Sequence, residues 1–245
     1  MNCKNCNTKI EQIFCPICGQ KTNTKRYVVK SALFVDAFQN LFEVNKGLVY
    51  TIKELFSRPG NSIREYIQGK RIRHRNYIEL LLIVIAFSYF LEQYASINSA
   101  NLVTSESIYE GTNSLMRSFV EFSNENPKLY MLLMIPLNAL FSFIWFQRSK
   151  QNYIEHLILN TYKSSAEVII TILFIIITIL YSDIAVLKII LGLFSTLVMA
   201  YSVWFYYQYF SDFDYKRWKL LGRSFLAAIS SQISVGLIIA LLGSI

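Results

Sequence analysis

Charge is what this chain has least of. Only 16% of its 245 residues are charged, against about 25% in an ordinary soluble domain. Histidine occurs twice and cysteine four times, which leaves few side chains for acid–base or thiol chemistry. No nucleophile elbow, P-loop or dinucleotide-binding fingerprint occurs. Residues 1–30 contain no apolar run of the roughly 7–15 residues that a signal peptide needs. The N-terminus is therefore expected to stay in the cytoplasm, with its thiols reduced.

Apolar residues are abundant instead, at 53% of the chain with a mean hydropathy of +0.35. Five apolar segments, near 76–95, 128–147, 166–182, 184–208 and 223–245, each approach the roughly 20 residues of a spanning helix. The fold class expected is an all-α integral membrane protein with about five transmembrane helices, a small N-terminal zinc ribbon and short cytosolic interfacial helices. Residues 1–22 form the ribbon, 23–30 a linker, 31–75 the interfacial helices and 76–245 the membrane domain, with an outer-loop helix at 105–124. Pro136 lies mid-way in the second segment and predicts a kink.

All four cysteines sit in the head, as Cys3-Lys-Asn-Cys6 and Cys15-Pro-Ile-Cys18. Each CxxC closes a tight knuckle with two thiolates facing one ion. Two knuckles make a tetrahedral S₄ site suited to structural zinc, with no open position for catalysis. Gly19 and Asn7 follow the two pairs, where a knuckle needs positive φ and where Gly and Asn adopt it most readily.

The cations set a direction. Residues 1–76 hold 14 Lys and Arg, the 147–165 connection three and the 211–223 connection four. Residues 96–128 and 182–188 hold two and one. That bias predicts a multi-pass protein with a cytoplasmic N-terminus. Trp204, Tyr206, Tyr207, Tyr209 and Phe210 are expected to form an aromatic belt at the inner end of the fourth span. The cations adjoin apolar runs rather than forming a separate basic domain, so nucleic acid is disfavoured and anionic lipid headgroups are favoured.

The most basic stretch reads Arg58-Pro-Gly-Asn-Ser-Ile-Arg64-Glu65-Tyr-Ile-Gln-Gly-Lys70-Arg71-Ile-Arg73-His-Arg75. A helix is expected to open with a capping box at Ser62-x-x-Glu65 and to end near Gly69. The cations anchor the first span, and Arg58, Arg64 and Arg71 are candidates to converge on a phosphate. Arg75 and Glu79, four apart, are expected to form an exposed pair of little worth.

A polar stripe enters the third span. His156, Asn160, Lys163 and Glu167 share one face if a helix runs unbroken from about Asn152, with Glu155 about 100° away. Ionisable groups at that depth are functional candidates, although Lys163 can also snorkel. Small-residue pairs such as Ala227/Ser231 and Gly236/Ala240 favour close helix packing, within the bundle or in a homo-oligomer.

The RPG, REY and GKR elements, behind a CxxC…CxxCGQK head, together with Glu155-His156-Leu157, resemble an uncharacterised bacterial zinc-ribbon membrane-protein family, the domain of unknown function 3667. The resemblance implies a bacterial inner-membrane location and marks the RPG, REY, GKR and EH positions, but implies no activity. The leading expectation is a non-enzymatic membrane protein whose cytosolic ribbon docks a protein partner. A small transporter or channel component using the stripe and an inner-leaflet lipid-handling enzyme are the alternatives.

Overall fold

The computed structural model describes residues 2–21, 24, 26, 27, 47–95 and 114–243, with side chains placed through residue 230 except at 114–116 and 120. Most of the expected linker, the expected interfacial helices as far as residue 46 and residues 96–113 of the outer loop lie outside the described residues.

Among the described residues every regular element is helical. They are α1 (Gly47–Ser57), α2 (Pro59–Gln68), α3 (Tyr77–Glu92), α4 (Ser114–Glu125), α5 (Pro127–Trp145), α6 (Tyr153–Leu180), α7 (Ile184–Phe210) and α8 (Arg217–Gly243), with one 3-10 turn, Gln147–Ser149, between α5 and α6. Local chemistry sets most starts. Asn76 accepts from the Ile78 amide, and Asp183 accepts from Ala185 and Val186. Asn152 and Glu155 form a complete capping box, each side chain accepting from the other's amide. Pro59 and Pro127 occupy first helical positions, where a missing N–H costs nothing.

The capping box launches α6 as one unbroken helix of 28 residues, which meets the condition under which the polar stripe shares one face. It is the axis of the bundle. Helices α3, α5 and α7 pack directly against it, while α8 leans on α5 and α7. Leu80, Val84, Ile158, Leu159, Tyr162, Ala166 and Phe205 form the middle of the core. The opposite faces carry uncovered Leu133, Leu140, Leu173, Ile176, Ile189, Leu193 and Leu197. Such rows suit a hydrocarbon surrounding.

Among the described residues three helices, α5, α6 and α7, are long and apolar enough to cross a membrane. Helix α3 has 16 residues, about 24 Å of helix, against a hydrocarbon core of about 30 Å.

Helices α1 and α2 pack on one end of the bundle, α2 chiefly against α7 and both against α6. The expected capping box is not there: α2 starts earlier, at Pro59, and Ser62 lies buried inside it. The Pro at the first helical position outweighed the Ser-x-x-Glu spacing. The aromatic group of α7 also divides. Tyr206, Tyr209 and Phe210 are fully buried, Tyr207 is half-buried and Trp204 stays partly exposed, so core packing replaces most of the expected belt.

Candidate functional site

The head is two copies of one knuckle. The Asn7 amide donates to the Cys3 carbonyl and the Cys3 amide to the Thr8 carbonyl. Twelve residues on, Gly19 donates to Cys15, and Cys15 to Gln20. Asn7 and Gly19 stand at φ 61° and 75°, as the spacing requires. The four Sγ atoms lie within 4.8 Å of one another, close enough for one metal ion to reach all of them. Hydrogen bonds from the Thr8 side chain and amide draw the Cys6 thiol down to about 6. Burial pushes Cys18 up to about 11.

The head is seated on the bundle rather than hanging from it. Gln20 donates from Nε2 to the Gly69 carbonyl at 2.7 Å and accepts the Arg71 amide at 3.2 Å. Gly69 ends α2 in the left-handed region at φ 119°, and the Gly69 and Lys70 amides both return to the Glu65 carbonyl. That turn leaves the backbone groups of residues 69 and 71 open, and Gln20 reads both. A cavity of about 570 Å³ lies in the seam, lined by Cys6, Cys18, Arg58, Glu65, Lys70 and Arg73 among others.

The arginines of the basic stretch do not converge. Arg58 pairs with Glu54 at 2.5 Å and Glu65 at 3.1 Å, and Lys70 stands 3.5 Å from Glu65. Burial opposes the Glu65 charge, but Arg58 and Lys70 outweigh it and hold its carboxyl below the usual range. Arg64 turns the other way and donates to the Gln208 and Tyr209 carbonyls at 3.1 and 2.8 Å, with Asp212 at 2.6 Å. Arg71 lies over the Tyr27 ring, 3.9 Å from its centroid. Arg73 is exposed at the cavity rim.

Gly60 explains the rest of the RPG element. Its amide donates to Gln208 Oε1 at 2.8 Å. A Cβ at this position would overlap the Tyr209 backbone nitrogen and stand 2.7 Å from Phe205 O. The start of α2 therefore abuts the backbone of α7. Each helix caps the other: Gln208 satisfies the orphan amides of α2, and Arg64 satisfies the last carbonyls of α7.

His74 bridges Ser62 Oγ at 2.8 Å and the Lys70 carbonyl at 3.1 Å. A carbonyl only accepts, so Nδ1 carries the proton and Nε2 accepts from Ser62. Burial lowers the His74 pKa below 6.5, reinforced by Arg58 and opposed by Glu54, the Lys70 carbonyl and Glu65. The neutral ring is the folded form, so its contribution is complete above pH 6.5 and is lost as pH falls through the lowered value. The protection of the Lys70–His74 amides, with exchange rates normalised to the intrinsic rate at each pH, should therefore fall on acidification below pH 6.5. His74→Gln should flatten that profile, and an unchanged profile would exclude the titration of His74 as its cause.

The predicted stripe lines the bundle interior. Ser142 Oγ donates to the Ala139 carbonyl, so His156 meets it at 2.9 Å as an Nδ1–H donor. The His156 Nε2 then points its lone pair into the packed interior, without a partner among the described residues. Asn160 donates to Ser142 Oγ at 2.9 Å and accepts from Tyr206 at 2.5 Å. Lys163 pairs with Glu167 at 2.5 Å, and Ser202 donates to the same carboxylate oxygen. Lys163 is buried rather than snorkelling. Glu155 is separate, as its 100° offset implies. Both its oxygens take the Arg26 fork, at 2.6 and 2.7 Å. Arg75 and Glu79 form an ion pair with side chains 11% and 7% exposed, so it is a buried pair and not the expected exposed one.

Residues 45–89 match the model of a family described as protein of unknown function (DUF3667). No curated protein and no solved structure matches the chain. The DUF3667 segment takes in α1, α2, the basic turn and most of α3. RPG, REY and GKR are thus its two junctions: RPG and Arg64 lock onto α7, and the GKR turn receives the head.

Sequence reasoning missed Gln20, Arg26, Gln208 and Tyr27. Gln20 had a signal in its place directly after Cys18-Gly19, inside the motif. Arg26 and Gln208 had none, because each is defined by a partner more than 120 residues away.

Proposed function

We propose that the chain is a five-span, non-enzymatic protein of the bacterial inner membrane whose cytoplasmic zinc ribbon docks a protein partner. Zinc fits the donor set. Four thiolates at about 2.3 Å from a tetrahedral ion stand roughly 3.8 Å apart, and Cys3–Cys18 and Cys6–Cys15 are separated by 3.6 and 3.4 Å. Ile10 is the one apolar side chain the head buries beside its cysteines, among the described residues, so the ion would supply most of its folding energy.

One observation carries the docking reading. The head, 20 described residues seated on the bundle, exposes Ile13, Phe14 and Ile17 at 68, 56 and 72%. An apolar patch on so small a rigid body marks an interaction surface. Gln20 and the GKR turn fix its direction relative to the membrane domain.

A photo-crosslinking residue at position 14 should capture one discrete partner in native membranes. Ile13→Ser with Ile17→Ser should reduce that capture at least about tenfold, with membrane level and one zinc per chain retained. Capture insensitive to both substitutions would remove the docking role while leaving the membrane fold intact.

A further inference from the structure

A groove of about 810 Å³ runs between α7 and α8. It is separate from the head, the basic turn and the buried stripe. Its wall is apolar, built from Met199, Val203, Leu221 and Phe225 among others. It opens on the flank where Leu193 and Leu197 of α7 are uncovered, so entry is lateral, through the surroundings of the bundle. A water-soluble ligand has no such route, whereas an acyl chain is already there.

One end of the groove is polar. Arg217 lines it, and Lys216 and Lys219 stand in the same turn. None of the three side chains has an ion-pair or hydrogen-bond partner among the described residues; Asp212 of the neighbouring loop is taken by Arg64, and Asp214 is the remaining acidic group there. Trp218, 86% exposed, and Trp204, 39% exposed, flank the same end. Unpartnered cations beside amphipathic rings are the chemistry of a headgroup level. This end lies on the ribbon side, because α2 abuts Gln208 and Tyr209 at the end of the same helix.

We propose that this groove is a selective site for one anionic glycerophospholipid of the ribbon-side leaflet, with an acyl chain along Val203 and Leu221 and the phosphodiester on Arg217. The site rests on the reading that α7 and α8 cross a bilayer. It differs from a general lipid coat in demanding a negative headgroup at one place.

The full chain, purified in mild detergent, is reconstituted into bilayers of equal phosphatidylglycerol and phosphatidylcholine, then stripped and weighed by native mass spectrometry. One phosphatidylglycerol per chain should survive stripping that removes phosphatidylcholine. Arg217→Gln should reduce its retention about fivefold, and adding Lys216→Gln and Lys219→Gln should reduce it further. Arg217→Lys should keep most of it. Lys188→Gln, at the far end of α7, should change nothing. Trp218→Ala should weaken retention without altering the preference. Equal retention of both lipids, or no response to the triple charge removal in a folded protein, overturns the site. A chain that leaves membranes without detergent would instead overturn the spanning reading beneath it.

Discussion

Gly60→Ala should deplete the protein from membranes and lower its thermal midpoint more than any other single-methyl addition in the described chain. The reason is backbone against backbone. The new Cβ would meet the Tyr209 nitrogen, the Gln208 carbonyl carbon and the Phe205 oxygen, none of which a rotamer change can move. Helix α2 must back away, and the loss spreads to both caps: Gln208 Oε1 leaves the Gly60 amide, and Arg64 leaves the Gln208 and Tyr209 carbonyls. Overpacking and the lost caps together should cost on the order of 4 kcal/mol.

The chain contains its own controls. A Cβ at Gly192 or Gly222 would meet nothing within 4 Å, and both lie inside helices. Their alanine variants should be neutral or gain up to about 1 kcal/mol through helix propensity. Unfolding of all three variants in detergent, followed by intrinsic fluorescence, decides the matter. If Gly60→Ala melts with the controls, the reciprocal cap is not what holds α2.

Why some of this was legible follows from the range of the forces. The knuckles, the positive φ at Asn7 and Gly19 and the stop at Gly69 are all set within a few residues, so spacing alone announced them. The head's seat, the division of the α7 aromatics and the separate fates of Arg58, Arg64 and Arg71 depend on which helix lies alongside. Six cations in eighteen residues look like one electrostatic patch in sequence. In the fold Arg58, Arg64 and Arg71 face three directions, because a carboxylate pair, two helix-end carbonyls and a tyrosine ring each offer one of them a better partner than a shared anion. The capping-box reading of Ser62 failed similarly: the motif was present, but Pro59 had already opened the helix.

Lys163→Met should be the most damaging change within the stripe, and its rescue discriminates between two roles. Lys163 and Glu167 have side chains only 6 and 20% exposed, on a helix of transmembrane length and apolarity. Removing the ammonium leaves the Glu167 carboxylate with Ser202 alone, and stranding a buried charge costs about 3–5 kcal/mol. Lys163→Met with Glu167→Leu removes both charges and should recover most of that stability, within about 2 kcal/mol of the unchanged protein, since apolar replacements of buried pairs are often neutral. A scaffold would keep its partner crosslink in the double variant, because nothing the partner touches has changed. A conducting or proton-moving path would be folded but dead, since its only buried ammonium–carboxylate relay among the described residues is gone. Single and double variants of equal stability would show that the pair is neither strain nor support, and that the stripe is held by His156, Asn160 and Tyr206 alone.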